Sequence, residues 1–270
     1  MAESLEGRVA IVTGGGRGLG RSMVLGLAHA GARVIATAAR EGREIERVAA
    51  EAGGGRVLPL LADVAREADC RRAVDTALQQ FGGLHVVVNN AGRGMKYVSE
   101  TFMSQPTRFW EVEPDTWRLV IDTNVNGPFL MARAAAPHLI AQKWGRIVNV
   151  SMGHETMRLP GFSPYGPSKA ALESETIIWA QDLAGTGVTV NALLPGGAAR
   201  TGMISATYPE ALRAQLLDPD IMAPPIVWLA SAQSDGISGM RFVATRWRSD
   251  LPADEAARAA CDNAGWPAAR

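Results

Sequence analysis

Short apolar runs recur along this chain, and each is followed by a longer stretch whose apolar positions return at helical spacing. A short run bounded by glycine or polar residues reads as a strand, the longer stretch as an amphipathic helix. The strands predicted in this way begin at Arg8-Val9-Ala10-Ile11-Val12, Arg33-Val34-Ile35-Ala36, Arg56-Val57-Leu58-Pro59-Leu60-Leu61 and His85-Val86-Val87-Val88. Downstream follow Arg146-Ile147-Val148-Asn149-Val150, Val188-Thr189-Val190-Asn191-Ala192-Leu193 and Met240-Arg241-Phe242-Val243. Strands alternating with helix-length segments build a parallel sheet covered on both faces. The expectation is one α/β domain: a single doubly wound parallel sheet of about seven strands with helices on both faces and no linker.

Breaks in the pattern place the connections. The second helix should stop before Gly53-Gly54-Gly55, and the segment 66–81 closes at Gly82-Gly83. The stretch 114–142 opens on a proline suited to a first helical turn, while Pro128 and Pro137 inside it predict a kink or a local loss of bonding. Segments 93–113, 151–163 and 195–208 read as loops. All three follow strands, so they gather at the carboxyl edge of the sheet, where open α/β sheets bind ligands.

Composition narrows the function. With 27 basic and 27 acidic residues the formal net charge is zero, so no overall positive field favours a nucleic-acid partner. Cys70 and Cys261 stand far apart and match neither a disulfide framework nor a metal spacing, so no metal site is expected. The amino-terminal segment has no secretory apolar core, and no apolar run approaches the roughly 18 residues of a membrane span. A cytoplasmic protein with a small-molecule substrate and no membrane or nucleic-acid partner is expected.

The first strand runs directly into Thr13-Gly14-Gly15-Gly16-Arg17-Gly18-Leu19-Gly20 and then into a helix ending near Gly31. Glycines at 14, 18 and 20 allow a tight turn, close approach to a pyrophosphate, and close packing of helix on sheet. The phosphate then sits on the unpaired N–H groups at the positive end of that helix. A nucleoside-triphosphatase loop is nearly spelled too, from Gly15 to Gly20-Arg21-Ser22, but arginine stands where that loop needs lysine. At the end of the second strand, Thr37-Ala38-Ala39-Arg40 carries no acid to hold a ribose 2′-hydroxyl. Arg17 and Arg40 stand nearby and offer planar forks to a 2′-phosphate. NADP(H) is therefore the preferred cofactor, with NAD(H) as the alternative; the plainer reading of both arginines is a solvated surface.

Tyr165 and Lys169 are four residues apart, hence one turn apart on the same face of a helix beginning near Pro164. An ammonium beside a phenol favours the phenolate and lowers its pKa, so such a tyrosine can exchange a proton with a carbonyl or an alcohol.

With these residues the chain resembles the short-chain dehydrogenase/reductase (SDR) family over roughly residues 5–245. The matching elements, in order, are the 13–20 loop, Asp63-Val64, Asn89-Asn90-Ala91-Gly92, Asn124-Val125-Asn126-Gly127, Tyr165 to Lys169, and Pro195-Gly196. The resemblance implies a Rossmann-type domain in which the Asp63 position receives the adenine amino group and Asn90 packs beside the adenosine ribose. It also implies that Lys169 holds the nicotinamide ribose hydroxyls, that Asn124 anchors a water linking the lysine to solvent, and that Tyr165 is the general acid. A carbonyl reductase or alcohol dehydrogenase is expected, assembled as a homotetramer or homodimer on the helices bearing Asn124 and Lys169.

Two departures stand out. Where the family has its catalytic serine, thirteen residues before the tyrosine, this chain has Met152, and a thioether cannot donate a hydrogen bond to the substrate oxygen. Four explanations compete: Ser151 turned inward, a substitute donor such as His154, Thr156 or Ser163, a substrate that needs no donor (an imine among them), or a weak or inactive enzyme; Met152 also motivates the rival reading of a dinucleotide-binding protein with little turnover. Met152, Met157, Leu159 and Phe162, with Phe102, Met103, Phe109 and Trp110 of the insertion 97–110, could line a cleft for a bulky apolar ketone or pack an interface. His154, Phe162 and Trp110 are the candidate substrate residues. At the carboxyl end, Ala244-Thr245-Arg246-Trp247 replaces the family's acid and two glycines. Residues 1–245 are thus the expected catalytic domain and 246–270 a tail, pinned on the core or a neighbouring subunit by Trp247 or Trp266.

Overall fold

The computed structural model describes residues 4–265. Its strands are β1 (Val9–Val12), β2 (Arg33–Ala38), β3 (Val57–Leu61), β4 (Val86–Asn89), β5 (Gly145–Val150), β6 (Val188–Leu194), β7 (Met240–Val243) and β8 (Cys261–Asn263). The helices are α1 (Gly18–His29), α2 (Gly42–Ala52), α3 (Glu67–Phe81), α4 (Pro114–Ile121), α5 (Gly127–Ala141), α6 (His154–Met157), α7 (Tyr165–Asp182), α8 (Glu210–Arg213), α9 (Ala223–Leu229) and α10 (Ala253–Ala260). One sheet runs in the order β3-β2-β1-β4-β5-β6-β7-β8, parallel up to β7. The order reverses between β1 and β4, which opens a crevice there at the carboxyl ends of the strands.

Strand alternation builds two cores. Ala10, Val12, Val34, Ala36, Val148 and Val150 face α1 and α9, whereas Val9, Ile11, Ile35, Ile147 and Val190 face α3 and α5. Both faces being covered, the central strands read as continuous apolar runs.

Between α4 and α5 the backbone forms a π turn at Asp122–Asn126, where the Gly127 N–H reaches back five residues to the Asp122 carbonyl. Pro128 has no N–H to give to the Asn124 carbonyl, and the helix loses its regular bonding there, as its position predicts. Pro137 lies inside α5, which continues to Ala141 without interruption.

The expected seven strands are joined by an eighth. β8 pairs antiparallel with β7, Phe242 opposite Cys261 and Arg241 opposite Asp262. Cys-Asp-Asn carries no apolar run, so its strand character comes only from the β7 edge it covers. Ahead of it, α10 buries Ala256, Ala257 and Ala260. Trp247 lies with its ring 6.3 Å from that of Trp228, whose Nε1 donates to Asp254 at 2.7 Å. Trp266 lies outside the described residues. No helix among the described residues is long and apolar enough to cross a membrane.

Candidate active site

The glycine loop is fastened to the neighbouring strand end. Thr13 Oγ1 donates to the Val88 carbonyl and accepts from the N–H groups of Asn90 and Ala91, while Asn90 Nδ2 donates to the carbonyls of Thr13 and Gly14 at 2.8 and 3.0 Å. Gly14 adopts φ +65°, and a Cβ on Gly20 would lie 2.1 Å from the Gly14 carbonyl oxygen. The turn therefore requires glycine at both positions. α1 begins at Gly18 behind an extended Arg17, with no capping side chain and no acid in its first turn, so the N–H groups of Gly18, Leu19 and Gly20 suit a pyrophosphate. A Cβ on Gly18 would meet Thr201 at 2.8 Å, which puts the 195–208 loop over this cradle. That loop's Gly196 lies close against Thr245, and the Thr245 N–H donates to the Pro195 carbonyl at 3.1 Å.

Beyond the carboxyl end of β3, Asp63 Oδ1 accepts from the Ala65 N–H, and Val64 lies against Gly127. Arg40 is exposed beyond β2. Arg17, 61% exposed in its side chain, lies 3.4 Å from Glu44 of α2, an acid that the reading of β2 alone did not bring to this place. An exposed pair of this kind contributes little to stability.

Asn124, fully buried in the π turn, uses both ends of its amide: Oδ1 accepts from the Arg93 N–H at 2.8 Å, and Nδ2 donates to the Arg93 carbonyl at 3.0 Å and Ser168 Oγ at 2.9 Å. Ser168 Oγ donates in turn to the Tyr165 carbonyl at 2.7 Å. The first turn of α7 is thereby braced against the NNAG segment. Ser168 and Arg93 were not singled out in the sequence, where only their places beside Lys169 and Gly92 could have marked them.

Tyr165 and Lys169 share one face of α7, and Lys169 Nζ donates to the Val150 carbonyl at 2.7 Å. Burial pulls the Lys169 ammonium down to about 8, with Glu173 acting in the other direction. The Tyr165 phenol is pushed up to about 12 by burial. This corrects the expectation of a lowered tyrosine pKa: burial disfavours the charged phenolate.

Ser151 follows the alternation of β5. Asn149 donates to Thr176 of α7, and Ser151, two residues on, has its Oγ buried with no hydrogen bond among the described residues. Met152 is half-buried, and its carbonyl accepts from Arg241 Nη2 at 2.9 Å. His154 opens α6; burial first, then the Arg241 charge, holds its imidazole below the usual range. The insertion meets this loop where Phe102 and Phe162 stand edge to face at 6.0 Å and Pro106 closes on Gly161. Trp110 is 69% exposed, with its ring against Phe109, and is not brought to the loop.

These features have counterparts in known proteins. The short chain dehydrogenase family model matches residues 8–211. A short-chain type dehydrogenase/reductase of Picea abies is 34% identical over 250 residues, covering 87% of this chain and 89% of that protein. Among solved structures, the 3-ketoacyl-(acyl-carrier-protein) reductase of Brucella melitensis complexed with NADH is 33% identical with a TM-score of 0.77, covering 87% of this chain and 95% of that one. A metagenomic short-chain oxidoreductase in complex with NADP is 28% identical with a TM-score of 0.74, covering 89% and 97%. With a phosphate cradle, an aligned Tyr165 and Lys169 and a family match across most of its length, the chain belongs to the short-chain dehydrogenase/reductase family of oxidoreductases.

Proposed function

We propose that the chain is an NADP(H)-dependent oxidoreductase that exchanges hydride between the nicotinamide and a carbonyl or alcohol substrate, with bulky apolar ketones as its substrate class. The observation that carries this reading is the braced first turn of α7, with Tyr165 and Lys169 on one face and Asn124 locked to Ser168. When bound, the cofactor supplies the hydride that reduces the carbonyl carbon. Tyr165, kept a neutral phenol by its burial, donates its proton to the substrate oxygen as negative charge develops there. The Lys169 ammonium has three donors. One is held by Val150, which leaves two for the nicotinamide ribose hydroxyls, while the ammonium charge stabilises the phenolate left by proton transfer.

Gly14, Gly18, Leu19 and Gly20 would hold the pyrophosphate, Asp63 and Val64 the adenine, Asn90, Ala91 and Gly92 the adenosine ribose side, and Pro195 and Gly196 the nicotinamide end. Arg17 and Arg40 favour NADP(H) over NAD(H) through a 2′-phosphate. Phe102 and Phe162 supply the apolar wall on which the substrate class rests. Half-exposed Trp117, Phe129 and Ile178 on α4, α5 and α7 support assembly as a homotetramer or homodimer through these helices. A cytoplasmic location is the companion proposal.

Met152 favours a second reading, reduction of an imine, because a protonated imine nitrogen already carries a positive charge and develops no negative charge for a serine donor to stabilise. One assay separates the readings: NADPH and NADH oxidation against ketones, diketones, aldehydes and cyclic imines, with Tyr165→Phe as control. Ketone turnover that falls by at least roughly 10²-fold in Tyr165→Phe is expected. Turnover confined to imines selects the second reading, and NADPH binding without turnover of any substrate identifies a dinucleotide-binding protein.

A further inference from the structure

One turn beyond Lys169 on α7 stands Glu173, with none of its surface exposed. Tyr165, Lys169 and Glu173 succeed one another at a spacing of four, so they line one face of the helix. Glu173 Oε1 lies 3.4 Å from Nε of Arg241 on β7, and Oε2 accepts from the Gly265 N–H at 3.1 Å. Arg241 is buried as well, and its Nη2 donates to the Met152 carbonyl. A buried ion pair is a weak source of stability, since a well-packed apolar pair of the same volume is often as stable. Its distinctive feature is its position. It joins the helix of the proton relay, the backbone at the vacant serine position and the end of the described tail.

We propose that Glu173 is a positioning residue of the active site, acting through space on the Lys169 ammonium and through Arg241 on the backbone at Met152. This rests on the reading of Tyr165 and Lys169 as the proton relay. Burial works against a charged Lys169, and Glu173 is the charge that works for it. Among the described residues, the other titratable and charged groups at this cluster are Tyr165 on α7, Arg241 on β7, His154 and Arg158 from the α6 segment, and Asp262 on β8. Replacing Glu173 by a neutral isostere removes the charge that favours the ammonium and leaves the Arg241 cation unbalanced. The same change frees Arg241 to shift, and the Met152 carbonyl with it.

Lysines stand only at positions 96, 143 and 169, so [ε-13C]lysine NMR gives three signals to titrate, assigned with Lys96→Arg and Lys143→Arg. In Glu173→Gln the Lys169 midpoint is expected below that of the wild type while the other two stay in place, and Glu173→Asp should restore part of the difference. With the ketone assay, kcat should fall by roughly ten- to a hundredfold, the upper limb of the pH profile should move to lower pH, and cofactor KM should change little. An unchanged Lys169 midpoint in folded Glu173→Gln overturns the proposal. If that variant does not fold, the apolar pair Glu173→Leu with Arg241→Met takes its place. A lower midpoint is again expected, since Glu173 is the charge acting directly on Lys169, and an unchanged one is again fatal. Absence of ketone turnover in the wild type would remove the proposed reaction, while the lysine titration would still decide the effect of Glu173 on Lys169.

Discussion

Lys169 Nζ donates to the carbonyl of Val150 at 2.7 Å, which fixes the ammonium at the end of β5, directly before Ser151 and Met152. The charge is held in a buried place that pulls its pKa to about 8, while the Tyr165 phenol stays neutral up to about 12. In the proposed reduction the lysine acts in its protonated form. The kcat/KM for ketone reduction should therefore hold level up to about pH 8 and decline above it as the ammonium is lost, and the limb belongs to Lys169 and not to Tyr165. In Lys169→Met that limb should vanish, with the remaining rate lower by roughly 10²-fold or more.

Met152 offers no donor, but its backbone is held by Arg241. If the proposed site is right, Met152→Ser should place a hydroxyl within hydrogen-bond reach of the substrate oxygen without rebuilding the strand end. A rise in kcat for ketones of about tenfold or more is expected from one added donor. An unchanged rate would mean that another group already fills that role.

Arg40 is exposed beyond β2, and Arg17, ahead of α1, is paired with Glu44. Arg40→Asp should raise KM for NADPH by roughly tenfold or more, by loss of a charge-assisted contact and gain of a repulsion, and should lower KM for NADH. Equal KM values for NADPH in variant and wild type would take Arg40 out of cofactor selection.

Glu175 faces a different test. Burial pushes its carboxyl from the ordinary 4.5 up to about 7, and its Oε2 is buried without a hydrogen bond among the described residues. Between these two values the folded chain keeps a proton that the unfolded chain has lost, so stability falls as pH rises from 4.5 through about 7. Glu175→Gln should stabilise the protein by about 1–2 kcal/mol at pH 8, the shift being discounted for partial exposure. The gain should disappear near pH 4.5 in urea titrations at fixed protein concentration. A gain of the same size at both pH values would assign the effect to packing.

Much of the fold was legible along the chain because each element that built it carried its own local signal. The first seven strands declared themselves as apolar runs, and the π turn that holds Asn124 fell where Pro128 removes a donor. The Tyr165–Lys169 pair and the glycine loop were equally visible, being short motifs whose proposed chemistry depends on spacing. β8 was not, since Cys261, Asp262 and Asn263 become a strand only by pairing with β7. Glu44 was missed beside Arg17 because α2 folds back on the loop, and Trp110, grouped in the sequence with the substrate loop, stays on the surface.

The sequence by itself determined the parallel sheet, the place of the nucleotide cradle, and the alignment of Tyr165 with Lys169, because periodicity and spacing are local properties of a chain. Only the tertiary structure decided the protonation of that pair, the anchoring of Met152 by Arg241 and the meeting of Glu173 with both Arg241 and the tail. Desolvation and ion pairing depend on which distant segments are brought together, and residues separated by up to 92 positions have no common signature until the sheet places them side by side.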